Sequence, residues 1–173
     1  MEVNFHEFSA LPLAPGVVPI EFSPTPAPLS FAALLGDMWR SIYPLGDPPH
    51  YQVFQFSAGG RIWEYVAHVH QSAPIPVGKR TYSFHGGYGA TPERAVQLAA
   101  MAGITGLRHQ ESMVQENRAY QYYPTIVENP KRIQFPSVNP HDDLAILAMS
   151  RYMMAECLLI SELVRDAIRA RRS

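Results

Sequence analysis

Two adjacent glycines, Gly59-Gly60, separate two runs suited to extended backbone, YQVFQFSA at 51–58 and RIWEYVAHVHQ at 61–71. Both runs are rich in β-branched and aromatic residues. A two-residue hairpin turn needs positive φ, and glycine enters that region without steric strain. The pair therefore predicts an antiparallel hairpin in the middle of the chain and excludes an all-helical fold. A loop at 72–78 and a third strand, KRTYSFHG at 79–86, follow, and Gly86-Gly87-Tyr88-Gly89 reads as a turn. On the second strand Trp63, Tyr65, Ala67 and Val69 share one face, expected to be the core. His68 and His70 then fall on the outer face.

Helix signals flank these strands. Ser30 can cap a helix to about Ile42, in which Phe31, Leu34, Leu35, Met38 and Ile42 form one apolar stripe. Pro44, Gly46, Pro48 and Pro49 stop it. Thr91 is a good N-cap, Pro92 suits the first helical position, and Glu93 faces the positive helix end. The second helix is expected from 92 to about 108, with Ala95, Leu98, Ala99, Ala102 and Leu107 giving a small-residue face for close packing on a sheet. The expected fold is α+β: an α-β-β-β-α domain at 30–109, a three-stranded antiparallel sheet with both helices on one face.

Three further segments surround that domain. Residues 1–29 hold six of the sixteen prolines, with three glutamates and no lysine or arginine, and read as a proline-rich arm. Val17, Val18, Ile20 and Phe22 make the arm too apolar for a pure spacer, so part of it is expected to lie on the body or on a partner. Residues 110–140 read as an extended connector. Residues 141–172 read as a long C-terminal helix. There Ile146, Met149, Met153, Cys157, Ile160, Val164 and Ile168 recur at helical spacing, while Leu144, Leu147, Leu158, Leu159 and Leu163 lie off that stripe. A helix apolar on two sides needs two neighbours. One is the domain's own body; the second is either a partner chain or more of the same monomer's core.

Composition limits the function classes. Of 173 residues 47% are hydrophobic and 17% charged, enough apolar mass for a core. The net charge of -1 demands neither nucleic acid nor an acidic membrane. The single Cys157 excludes an internal disulfide and a Cys-rich zinc module, and its place in the apolar stripe predicts burial. The apolar stretch from Leu144 to Val164 contains Arg151, Glu156 and Glu162. Each charge costs roughly 2.5–3.5 kcal/mol at a bilayer centre. No membrane association is expected, and the reading is a soluble intracellular protein of cytoplasm or nucleus.

The order from Ser30 to His109, and above all the segment Tyr82-Ser83-Phe84-His85-Gly86-Gly87-Tyr88-Gly89-Ala90-Thr91-Pro92-Glu93-Arg94-Ala95-Val96-Gln97-Leu98-Ala99-Ala100, resembles the double-stranded RNA-binding domain. In that family a third strand leads through a Gly-x-Gly-type turn and a helix cap to a Lys-Lys-x-Ala-Lys cluster and a pair of alanines. Gly87, Gly89, Thr91, Ala95, Ala99 and Ala100 occupy the matching places. The cluster's lysines grip phosphates across the major groove of A-form RNA. Here those three positions read Pro92, Glu93 and Val96, with Arg94 beside them. The domain at 30–109 carries six basic and four acidic residues. The resemblance thus implies a degenerate member that keeps the fold and has lost its main phosphate grip.

Three functions follow as expectations. The first is a non-catalytic protein-interaction module that self-associates, a homodimer being the expected state. Family members make such contacts through the third strand's edge or the outer sheet face. The candidates are Phe54, Phe56, Tyr82 and Phe84, with Arg80 at the edge, and Leu147, Met154, Leu158 and Leu159 on the last helix. The second is a working binder of double-stranded RNA, weak at best, using Lys79, Arg80, His85, Arg94 and Arg108. The third is an enzyme, for which the sequence offers no paired acids and no activated nucleophile. His68 and His70 could form half a metal site, but exposed sheet histidines are the simpler reading. The glycines before Thr91 match neither a Rossmann nor a Walker A pattern, and no cofactor is expected.

Overall fold

The computed structural model describes residues 14–22, 27–117, 119–127, 132–136 and 141–172. The central hairpin forms where the glycines stand: strand β2 (His50–Ala58) meets strand β3 (Arg61–Pro74) through Gly59 and Gly60, with φ of 58° and 77°. Strand β4 (Lys79–Gly89) pairs antiparallel with β3. It runs three residues beyond the expected end, because Gly87 and Gly89 stay in the ladder opposite Ala67 and Tyr65. Their smallness serves the helix above. A Cβ on Gly87 would stand 2.1 Å from the Ala95 carbonyl oxygen. Gly87 and Gly89 thus mark a close approach of helix to strand rather than the expected turn.

The sheet has four strands, not three. Val17–Ile20 forms strand β1 and pairs antiparallel with β2, giving the order β1-β2-β3-β4. The strand lies within the segment read as a proline-rich arm. Three of its residues are β-branched, and Pro19 is tolerated because β1 is an edge strand. Residues 1–13 and 23–26 of the arm lie outside the described residues.

Helix α1 (Phe31–Ile42) begins where the Ser30 hydroxyl accepts the Ala33 N–H at 3.2 Å. Helix α2 (Pro92–Gln110) begins where the Thr91 hydroxyl accepts the Arg94 N–H at 3.3 Å. Both lie on the same side of the sheet. A Cβ on Gly103 of α2 would stand 2.9 Å from Leu35 of α1 and 3.3 Å from Val69 of β3, so the two helices and the sheet meet at that point. The core there is formed by Phe31, Leu35, Met38, Val53, Val69 and Ile104. Architecturally the chain is α+β, with an antiparallel four-stranded sheet and helices against one face.

The segment at 110–140 is more structured than an extended connector. It contains the short helix α3 (Ser112–Glu116) and strands β5 (Thr125–Val127) and β6 (Arg132–Gln134), which pair antiparallel. Helix α4 (Asp143–Arg172) follows, 30 residues and therefore about 45 Å long. It docks through Ala145, Ala148, Tyr152, Ala155 and Leu159. The alanines allow a close approach, and the Tyr152 ring sits edge-on to Phe31 at 5.1 Å between centroids.

Candidate interaction surfaces

The docked stripe of α4 is not the one its large residues suggest. Ile146, Met153, Ile160, Val164 and Ile168 are all about half exposed, and so is Leu163. Cys157 is exposed as well, so its expected burial is corrected. The small residues took the body because a helix laid across two others packs closest through alanine. The larger aliphatic side chains were left facing outward. Among the proposed interface residues, Leu147 (50% exposed) and Met154 (48%) lie on this open side. Leu158 is half-buried, and Leu159 belongs to the core. By length and composition, α4 alone among the described residues could also cross a membrane.

The outer sheet face is the second open surface. Phe54 and Phe56 on β2 are half-buried there, Phe54 against His68 and Phe56 against Trp63, with ring centroids 5.9 and 5.7 Å apart. Trp63 was expected in the core and is instead 59% exposed. The ladder slips between Phe56 and Ser57, which leaves Trp63 without a partner residue and re-aims it. Ala67 and Val69 are buried as expected.

Four histidines share this face. His50 lies opposite His70, and His68 opposite His85. Ring centroids are 6.4 Å apart for His50 and His70, 6.5 Å for His70 and His85, and 4.4 Å for His68 and His85. His70 donates from Nε2 to the Gln52 side-chain oxygen at 3.3 Å, and its Nδ1 accepts the Ser83 hydroxyl at 2.8 Å. Burial first, and then the neighbouring histidines, push the His70 pKa down to about 4. Burial, with His85 beside it, also lowers that of His68. His68 and His70 are therefore largely neutral near pH 7. No three His, Cys, Asp or Glu side chains among the described residues converge as a metal site.

The candidate phosphate contacts are scattered, and three are engaged elsewhere. Arg94 is buried and ion-paired with Asp166 of α4. Arg108 is half-buried and clamps the Gln121 carbonyl oxygen with Nε at 3.0 Å and Nη2 at 2.7 Å. Lys79 and His85 are exposed. Arg80 reaches Glu111 at 3.3 Å with about half its side chain in solvent. Val96, at the third lysine position, is fully buried in the core.

Tyr82 and Phe84 point inward, toward Trp39 of α1 and Gly106 of α2. Phe84 packs against Gly106 of α2, where a Cβ would lie 2.1 Å from the ring. Tyr82 stacks on Phe84 at 6.1 Å and gives its hydroxyl to Glu111. Glu111 is the buried polar centre that sequence reasoning missed. It stands just past α2 with no solvent exposure. Its Oε2 accepts from Tyr82 at 2.5 Å, Tyr43 at 2.9 Å and Arg80 at 3.3 Å, and its Oε1 accepts the Met113 N–H at 3.2 Å. Burial pushes the Glu111 carboxyl up; the bonds from Tyr82, Tyr43, the Met113 N–H and Arg80 outweigh that and hold it below the usual range. No local pattern marks Glu111, since its partners come from α1, β4 and α3.

Beside edge strand β4 an open groove of about 580 Å³ runs along α2 to the β5–β6 pair, lined by Phe84, His85, Met101, Thr105, Ile126 and Ile133. Its walls are chiefly apolar. No protein-family model, curated protein or solved structure matches the chain.

Proposed function

We propose that the chain is a non-catalytic interaction module that binds protein, itself included, on a double-stranded RNA-binding-like fold that has lost its phosphate grip. The observation that carries this reading is the outward face of α4, where Ile146, Leu147, Met153, Met154, Ile160 and Val164 are each 47–53% exposed. Fully burying one such side chain contributes roughly 1.5–3 kcal/mol. Several together can outweigh the roughly 4–15 kcal/mol lost in free tumbling on association.

The order α1-β2-β3-β4-α2 and the glycines beneath α2 support the kinship with the RNA-binding fold. The loss of grip is supported by three positions. Arg94 is neutralised by Asp166, Val96 is in the core, and exposed Glu93 repels phosphate at the helix start.

Light scattering across a concentration series tests the first half. A mass near twice 19.4 kDa is expected, and a monomer at the highest concentration overturns it. Titration of a fluorescent RNA duplex at low and moderate salt tests the second half. Weak binding or none is expected. Nanomolar affinity at physiological salt would restore the RNA-binding reading, with Lys79, Arg80 and His85 as its remaining contacts.

A further inference from the structure

We infer that two copies of this chain pair through α4 in antiparallel orientation, with Met153 of each copy packed against Cys157 of the other. This rests on the proposed self-association and specifies its geometry.

The first support is the spacing of the open face. Ile146, Ser150, Met153, Cys157, Ile160 and Val164 follow one another by steps of four, three, four, three and four, and every one of them is exposed. That is the core spacing of a coiled coil. The docked residues Ala145, Ala148, Tyr152, Ala155 and Leu159 alternate by three and four in the same way. Two straight seams therefore run along opposite sides of one helix. One is closed by the body, and the other has the pattern that a second helix closes. Lipid needs no such register.

The second support is charge, and it sets direction. Asp142, just before α4 and also accepting the Tyr122 hydroxyl at 2.6 Å, and Asp143 stand at its start, whereas its last two turns carry Arg165, Arg169, Arg171 and Arg172. Asp166, the acidic residue among them, already serves Arg94 and Arg169. Parallel pairing would set one arginine cluster beside the other. Antiparallel pairing sets each cluster beside the other copy's aspartates and opposes the two helix dipoles favourably.

Register follows from the same two features. In an antiparallel pair the two kinds of seam position face one another across the axis. Setting Met153 against Cys157 of the second copy also sets Ser150 against Ile160 and Ile146 against Val164. It brings Asp142 and Asp143 within a turn of Arg165 and Arg169. Moving the copies by one heptad toward their C-termini would carry Asp143 past the end of the partner helix.

The test uses the full chain in a Cys157→Ser background, with Ser150→Cys in one preparation and Ile160→Cys in another. Both positions are exposed, so the fold tolerates them. Each preparation is first measured by light scattering, then the two are mixed, equilibrated and mildly oxidised. A disulfide needs Cα atoms within about 7 Å. Antiparallel pairing predicts a cross-linked species of doubled mass in the mixture, at least tenfold above either preparation alone. Self-cross-linking of Ser150→Cys alone would overturn the inference in favour of parallel helices. Dimers without either cross-link would move the interface to another face and leave self-association standing. Monomers throughout would sink self-association itself. Monomers that float with anionic phospholipid vesicles would do the same and assign the α4 face to lipid.

Discussion

The Tyr82 hydroxyl donates to the Glu111 carboxylate at 2.5 Å, tying the inner face of the edge strand to the residue that ends α2. The Tyr43 hydroxyl comes to the same oxygen from the end of α1. One carboxylate, itself without solvent exposure, thus fastens three elements.

Replacing Glu111 by Ala should be among the most damaging single changes in the chain. It leaves the Tyr43 and Tyr82 hydroxyls without their acceptor, each a loss of about 1–3 kcal/mol when buried. Glu111→Gln keeps an acceptor and should cost less. Urea denaturation of both variants checks the order. Equal stability of wild type and Glu111→Ala would show that the network contributes nothing.

Gly106 and Gly36 should respond to alanine with opposite signs. Both are helix-interior glycines, where alanine ordinarily gains about 1 kcal/mol. A Cβ on Gly36 meets nothing within 4 Å, so Gly36→Ala should stabilise by about 0.5–1 kcal/mol. A Cβ on Gly106 would stand 2.1 Å from the Phe84 ring, which is itself held in the core. Overpacking costs about 1–3 kcal/mol, so Gly106→Ala should lower the melting temperature while Gly36→Ala raises it. A stabilising Gly106→Ala would mean that β4 can yield.

These contacts mark how much of the structure was legible beforehand. The Gly59-Gly60 hairpin and the Ser30 and Thr91 caps stood where the sequence placed them, because each depends on one or two residues with special backbone needs. Features set by distant neighbours were not legible. Val17–Ile20 became a strand because β2 lies beside it. Gly87 and Gly89 belong to a ladder because α2 comes close. Trp63 turned outward at a bulge that no local pattern signals. On α4 the hydrophobicity was plain, but which side would dock depended on side-chain size against α1 and α2. The alanines won, and the stripe through Ile146, Met153, Cys157 and Ile160 became the open face.

Acidification should weaken the fold through the outer-face histidines. An unfolded histidine titrates near 6.5, whereas folded His70 does so at about 4. Between those values the unfolded chain binds the extra proton, so stability falls as pH drops from about 6.5 toward 4 and this contribution levels off below. His50, His68 and His85 face His70, with Gln52 and Ser83 beside it. His70→Asn should flatten the decline, as read from urea midpoints at pH 7, 6, 5 and 4.5. Glu111 loses its contribution at the lower end, since its depressed carboxyl protonates in the folded state only below the unfolded value of about 4.3. An unchanged pH slope in His70→Asn would remove His70 as its source.

Leu159 and Ile160 are chain neighbours with opposite surroundings. Leu159 is 6% exposed and part of the core, whereas Ile160 is 51% exposed on the open seam. A carboxylate at 159 would be forced against Tyr152 and the helices beneath, at a desolvation penalty that the local packing cannot offset. Leu159→Glu should therefore unfold the chain or cost more than about 3 kcal/mol. A carboxylate at 160 remains in water in the monomer, so Ile160→Glu should keep the far-ultraviolet spectrum and the urea midpoint of an isolated subunit. In a dimer closed through α4 it would be buried opposite Ser150 of the other copy, and the dissociation constant should rise at least a hundredfold. Light scattering and circular dichroism on the two variants separate the cases. A folded Ile160→Glu that dimerises as tightly as wild type would take Ile160 out of the interface, whatever else holds the copies together.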